Sequence, residues 1–244
     1  MEYSDYEEFI HSIVKDGDFR NFKSNPVYTN ILEHVSSEYG KQYLYLIRVM
    51  FSIPDELIKE FGYMNDLHGM PTKVVYDGNI CISPTSLRYI FHSLLILRNM
   101  KSHRLTTVNI VEVGCGYGGL ALAIYYFSKL VGIKVTSYHM IDLDAPSSLQ
   151  KKYLELFNVD INVSYHSAST YGKDVIGDNY FLISNYCFSE ITSHHQEQYV
   201  KTLFPKCSHG FLTWNHIDVY DFGKSMYVEN EYPLTGLNNK YIVF

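Results

Sequence analysis

Eight residues, Glu112-Val113-Gly114-Cys115-Gly116-Tyr117-Gly118-Gly119, constrain this chain more than any others. They end a β-rich run, Val108–Val113, and open the stretch Gly118–Val131. There Leu120, Ala123, Ile124, Phe127 and Leu130 recur at helical spacing and are expected to face inward. A strand that closes on clustered glycines and starts a helix must turn sharply. Glycine supplies the left-handed backbone for that turn and lets another group approach closely. The helix start adds unpaired N–H groups and the positive end of the dipole, a setting for an anionic ligand group.

Around this run the chain alternates. Lys134–Leu143, Ile161–Tyr165, Tyr180–Ser184 and Gly210–Trp214 read as strands, with helices over Ser147–Phe157 and about Thr192–Leu203. The rhythm predicts an α/β fold with a mainly parallel sheet and helices on both faces. Met226–Tyr232 and Lys240–Phe244 read as a closing antiparallel hairpin. Residues 1 to about 70 are helical in pattern. Tyr6, Phe9, Ile10, Ile13 and Val14 form one stripe, and Tyr39, Tyr43, Leu46, Ile47 and Met50 a second. A short helix is expected to end at Phe61, followed by a turn-rich stretch from Gly62 to Asn79. Ser83-Pro84 then caps a helix whose Leu87, Ile90, Phe91, Leu94 and Leu95 are buried and which ends near Met100. The boundaries read as a helical extension over 1–79 and a ligand-binding domain over 80–244.

Gly114, Gly116 and Gly119 also satisfy the G-x-G-x-x-G pattern of dinucleotide sites. Glu112 argues against a pyrophosphate, which a carboxylate would repel. It suits the ammonium of a bound amino acid. The short remainder of the chain leaves little room for the substrate domain of a nicotinamide enzyme. Asp142, at the end of the second strand, is placed to accept hydrogen bonds from ribose hydroxyls, with Asp144 second.

The run Glu112–Ala121 resembles the first motif of class I methyltransferases, and more narrowly that of the sugar O-methyltransferase family. Ile141-Asp142-Leu143, the segment Asn185-Tyr186-Cys187-Phe188-Ser189-Glu190, and Glu231-Tyr232-Pro233-Leu234-Thr235-Gly236 resemble further motifs of that family. The likeness spans about residues 80 to 244. Cys115 and Asp144-Ala145-Pro146 depart from it. The resemblance implies a Rossmann-like, seven-stranded sheet with an antiparallel last strand and S-adenosylmethionine (SAM) as methyl donor. Glu112, Gly114, Gly116, Tyr117, Gly118, Asp142, Leu143, Ser167, Ala168 and Asn185 are its expected contacts.

A sugar hydroxyl is a poor nucleophile and needs a base. The sites after strands four and five offer His216, Glu190 and His195, with His194 beside the last; His216 directly follows a strand end, and imidazole is the side chain suited to proton transfer at neutral pH. Thr85 and Arg88, on the helix before the glycine strand, are within reach of the same cleft. No motif spacing makes a metal site of Glu190, His195, His216 and Asp218. A small-molecule acceptor, a sugar or sugar nucleotide, is the expected partner. Methylation of an amine or phenol, a non-catalytic SAM-binding subunit, and a nicotinamide-dependent oxidoreductase are the competing readings. Net charge is −6 with no Lys/Arg run, which disfavours nucleic acid. No window is apolar enough to span a membrane. The four cysteines are widely spaced and the acidic start lacks a signal peptide, so a cytoplasmic protein is expected. The N-terminal stripes are core, or a surface for a second copy.

Overall fold

A computed structural model describes residues 4–17 and 19–244 of the chain. The acidic opening Met1–Tyr3 lies outside the described residues. The N-terminal part is α1 (Ser4–Asp16), α2 (Pro26–Thr29), α3 (Ser37–Phe51), α4 (Asp55–Asp66), and a hairpin of β1 (Val74–Tyr76) and β2 (Ile80–Ile82). Then follow α5 (Pro84–Ser102), β3 (Thr107–Val113), α6 (Gly119–Leu130), β4 (Lys134–Asp142), α7 (Asp144–Glu155) and β5 (Asn162–Ser167). The chain closes with β6 (Tyr180–Asn185), α8 (Ser193–Thr202), β7 (Cys207–Trp214), β8 (Tyr227–Asn230) and β9 (Lys240–Val243).

The large sheet has seven strands in the order β5-β4-β3-β6-β7-β9-β8. The strands β5, β4, β3, β6 and β7 are parallel, and β9 runs antiparallel to both of its neighbours. The order reverses between β3 and β6. Their carboxyl ends, Val113 and Asn185, therefore flank the crevice where ligands bind in such sheets. The alternating burial of β3 explains its central place. Ile110 and Glu112 face one core and Val111 and Val113 the other, all nearly water-free.

One core is continuous from the N-terminal helices into the sheet. Tyr6, Ile10 and Ile13 of α1 and Tyr43 and Ile47 of α3 are buried in the same cluster as Leu120 and Ile124 of α6. Both sequence stripes are therefore core faces. Helix α5 is buried almost all round, because α3 covers one side and α6 another. Its Ser83 Oγ accepts the Ser86 N–H at 3.0 Å, the expected cap.

Four local expectations are corrected. Helix α4 continues past Phe61 to Asp66, with Gly62 inside it. A Cβ on Gly62 would lie 2.6 Å from Ile82 Cδ1, so the glycine permits close packing of β2 and does not end the helix. The supposed turn region contains the β1–β2 hairpin, closed around Asp77-Gly78, a strong turn signal masked by strands of only three residues. Helix α7 begins at Asp144 because Pro146 fits its first turn. Leu130 is 50% exposed: it is the last residue of α6, where the helix has already run past the core.

The Gly62 packing sets a stability test. Gly→Ala inside a helix gains up to about 1 kcal/mol from propensity, whereas overpacking costs about 1–3 kcal/mol. Burial decides, so Gly62→Ala is expected to lower the denaturation midpoint. An unchanged or raised midpoint would show that Ile82 yields freely.

Candidate functional site

The glycine run forms the turn the sequence requires. Gly114, Gly116 and Gly118 have φ of 77°, 56° and 92°, a region side chains other than glycine rarely enter. Gly114 is also sterically fixed, since a Cβ there would collide with the Cys187 side chain. The loop is latched to the neighbouring strand. Asp142 Oδ2 accepts the Cys115 N–H at 2.8 Å and the Gln150 amide at 2.8 Å, and its Oδ1 accepts the Leu143 N–H at 2.9 Å. The same Gln150 Nε2 donates to the Gly116 carbonyl at 2.9 Å. Gln150 Oε1 is buried without a partner among the described residues. Burial pushes the Asp142 carboxyl up to about 6 against these bonds.

Strand register assembles the other expected contacts. Asp142 pairs with Ser167 across β4 and β5, and Leu143 beyond it is 38% exposed at the cleft edge. Ser167 Oγ lies 3.0 Å from Ser169 Oγ, and Ala168 starts a 3₁₀ turn. Asn185 closes β6 with its side chain turned toward α5. Its Oδ1 accepts the Thr213 hydroxyl at 2.8 Å, and its Nδ2 lies 3.2 Å from His92 Nδ1.

Glu112 is 2% exposed under the loop, and its Oε2 accepts the Tyr138 hydroxyl at 2.7 Å. Burial raises this carboxyl to about 8; the Tyr138 bond pulls it down and the charge of Asp142 adds to the rise. Tyr117 turns its ring into the core, where Asn65 Nδ2 donates to its hydroxyl at 2.9 Å and the Lys23 ammonium sits 4.1 Å from its ring centre. Only its backbone belongs to the loop surface. The segment after α2 covers that surface: a Cβ on Gly116 would lie 3.5 Å from Leu32 and 3.7 Å from the Tyr89 hydroxyl.

Two of the candidate bases come together. His216 Nε2 lies 3.7 Å from Glu190 Oε1, and that oxygen accepts the Asn215 amide at 2.7 Å. His216 has φ of 62° and sits at the centre of a tight turn, in which the Ile217 N–H donates to the Asn215 carbonyl at 2.7 Å. Trp214 Nε1 donates to the Ile217 carbonyl at 2.8 Å and fixes the turn from beneath. His195 is elsewhere on α8, with its Nδ1 2.9 Å from the Tyr171 hydroxyl and its ring beside His194. Asp218 is exposed. Among the described residues no group of three or more His, Cys, Asp or Glu is arranged to hold a metal ion.

Sequence reasoning did not single out Gln150, Glu33, His92 or the role of Glu231. Gln150 carries no motif; only its helix phase behind Asp142 signals it. Burial drives the imidazole of His92 down to about 3, so it is neutral between Asn185 and the Tyr241 hydroxyl. Glu231 accepts the Tyr186 hydroxyl, the Thr235 N–H at 2.8 Å and the Asn239 amide at 3.0 Å, which ties the closing segment to the residue after β6.

No family model and no curated protein matches the chain. Among solved structures it is similar to the methyltransferase domain of a bacterial Hen1, at 14% identity over 63% of this chain and 96% of that one, TM-score 0.46. It is also similar to a SAM-dependent methyltransferase from Aquifex aeolicus, at 16% identity over 62% and 91% of the two chains, TM-score 0.44. With TM-scores below 0.5 these likenesses add nothing to the chain's own strand order. That order, with its antiparallel β9, is the Rossmann-like fold of class I methyltransferases.

Glu112 makes stability pH-dependent. It keeps its proton in the fold up to about pH 8 but loses it near 4.5 when exposed. Between those values the folded state binds more protons, so this residue makes stability fall as pH rises. The stability of Glu112→Gln relative to wild type is expected to grow from pH 5 to pH 8.5 in thermal melts. Parallel profiles would show that Glu112 is ionised in the fold.

Proposed function

We propose that the chain is a SAM-dependent methyltransferase that methylates a hydroxyl of a small acceptor, a sugar or sugar nucleotide. The observation that carries the reading is the latched glycine loop at the switch point between β3 and β6, with Asp142 at its side. The bound donor would supply a methyl group on a sulfonium, activated for in-line displacement. This chain's residues fit that donor. Asp142 and the open Gln150 Oε1 offer acceptors for ribose hydroxyls. Leu143 offers an apolar face for the adenine, with Ser167 and Ala168 at its edge. Gly114, Gly116, Gly118 and the Tyr117 backbone would line the thioether chain, with Glu112 beneath and Asn185 at the far wall. Residues 1–79 act as a cap over the domain formed by 80–244, and Leu32 excludes water from the loop.

The His216–Glu190 pair favours a hydroxyl acceptor over an amine. An amine that is already unprotonated attacks without a base, whereas a hydroxyl must give up its proton during attack. His216 takes that proton on the ring nitrogen opposite Nε2, and Glu190, 3.7 Å from Nε2, stabilises the resulting imidazolium. Asn215 holds Glu190 in place. His195 is the reserve candidate, reached through Tyr171. No helix among the described residues is long and apolar enough to cross a membrane. Self-association would use α3, where Tyr45 is 62% and Val49 60% exposed.

A labelled-methyl transfer screen over nucleotide sugars, free sugars, phenols and amines tests the acceptor class. We expect label on a hydroxyl acceptor, and for that acceptor a drop of about 10²–10⁴-fold in kcat for His216→Ala. Glu190→Gln should lower kcat less. Full turnover by both variants would remove them from the role, and label on amines alone would move the function to N-methylation.

A further inference from the structure

Two ionisable groups beside the glycine loop lack the partners their burial demands. Arg88 on α5 is 9% exposed. Its guanidinium donates to the Leu32 carbonyl at 3.1 Å and reaches the Tyr89 hydroxyl. It lies 5.6 Å from the Tyr186 ring centre and 5.9 Å from that of Tyr89. No carboxylate among the described residues forms an ion pair with it. A guanidinium has five donors and is costly to bury without an anion. The second group is Glu33, in the segment that follows α2. Its Oε1 is buried with no hydrogen-bond partner among the described residues, while Thr85 serves the rest of the carboxylate. Lys23, Asp66 and Arg88 act on Glu33 through space, none of them in contact.

Both groups flank one spot. Leu32, whose carbonyl Arg88 holds and which Glu33 follows in the chain, covers Gly116, and Tyr89 beside Arg88 reaches the same glycine. If ribose is held at Asp142, at the end of β4, the rest of the donor extends the opposite way. It crosses the end of β3 toward β6, and Arg88 lies there over Tyr186, the residue after β6. An open cation and an open carboxylate oxygen, side by side, complement a zwitterion.

We propose that Arg88 and Glu33 clamp the amino-acid end of the methyl donor, Arg88 taking the α-carboxylate and Glu33 the ammonium. The inference rests on the donor assignment above. It gives the N-terminal segment a part in the site, since Glu33 comes from outside the sheet domain. It also separates two carboxylates. Glu112 Oε2 is already filled by Tyr138, whereas Glu33 Oε1 is open.

Calorimetry with two probes tests this. S-adenosylhomocysteine carries the zwitterion; 5′-methylthioadenosine carries the same nucleoside and thioether without it. Wild type is expected to bind the first more tightly. Arg88→Met should lose roughly 10- to 100-fold of that affinity, as removal of charge-assisted hydrogen bonds does. Its affinity for 5′-methylthioadenosine should stay within about twofold, which also shows that the variant is folded. Arg88→Lys, with its charge kept but its fork lost, should fall between. Glu33→Gln should show the same selectivity. Equal losses for both probes, or equal wild-type affinity for the two, would overturn the clamp while leaving the donor assignment intact. Selective loss in Glu112→Gln and not in Glu33→Gln would overturn the ammonium half. Wild-type binding to neither probe would overturn the donor assignment, and the clamp with it.

Discussion

The site depends on one hydrogen-bonded latch. Asp142 reaches from the end of β4 to the Cys115 N–H, and Gln150 joins that carboxylate to the Gly116 carbonyl. A glycine-rich turn has high intrinsic freedom, so its shape must be imposed from outside. Here a carboxylate and an amide from the next β–α unit impose it. The latch uses polar groups in a nearly dry place, where each bond is strong and each unpaired atom costly. It explains why a residue read as a ribose ligand also has a structural duty, and why burial shifts its carboxyl upward without emptying it of partners.

The N-terminal helices pack around the same turn. Tyr117, inside the glycine run, packs edge-on against Tyr89, Phe22 and Tyr153, rings from three separate parts of the chain. The buried Lys23 lies over this cluster and donates to the Asn65 carbonyl at 2.6 Å. The glycine loop is thus gripped from one side by the sheet and from the other by the N-terminal helices.

Much of the sheet was legible because its strands are short apolar runs punctuated by glycine and proline. Val108–Val113, Lys134–Leu143 and Tyr180–Ser184 match β3, β4 and β6 closely. The closing hairpin was readable from Met226–Tyr232 and Lys240–Phe244, and its pairing appears as β8 with β9. Gly62 misled because a glycine demanded by packing against Ile82 looks, in sequence, like one that ends a helix. The glycine motif pointed to the crevice between β3 and β6, and among the residues read as candidate bases after strand ends, His216 and Glu190 lie side by side. Gln150 and His92 escaped because they matter through partners that no motif links to them: Asp142 and Gly116 for the first, Asn185 and Tyr241 for the second. No local pattern encodes such meetings.

The central claim is that the latched loop holds SAM and not a dinucleotide, a choice that eight residues alone leave open. Titration of the wild-type protein with SAM and, separately, with NAD decides it most directly. The account predicts saturable one-to-one heat with SAM, none with NAD, and weaker SAM binding in Asp142→Ala. Binding of NAD alone would contradict it.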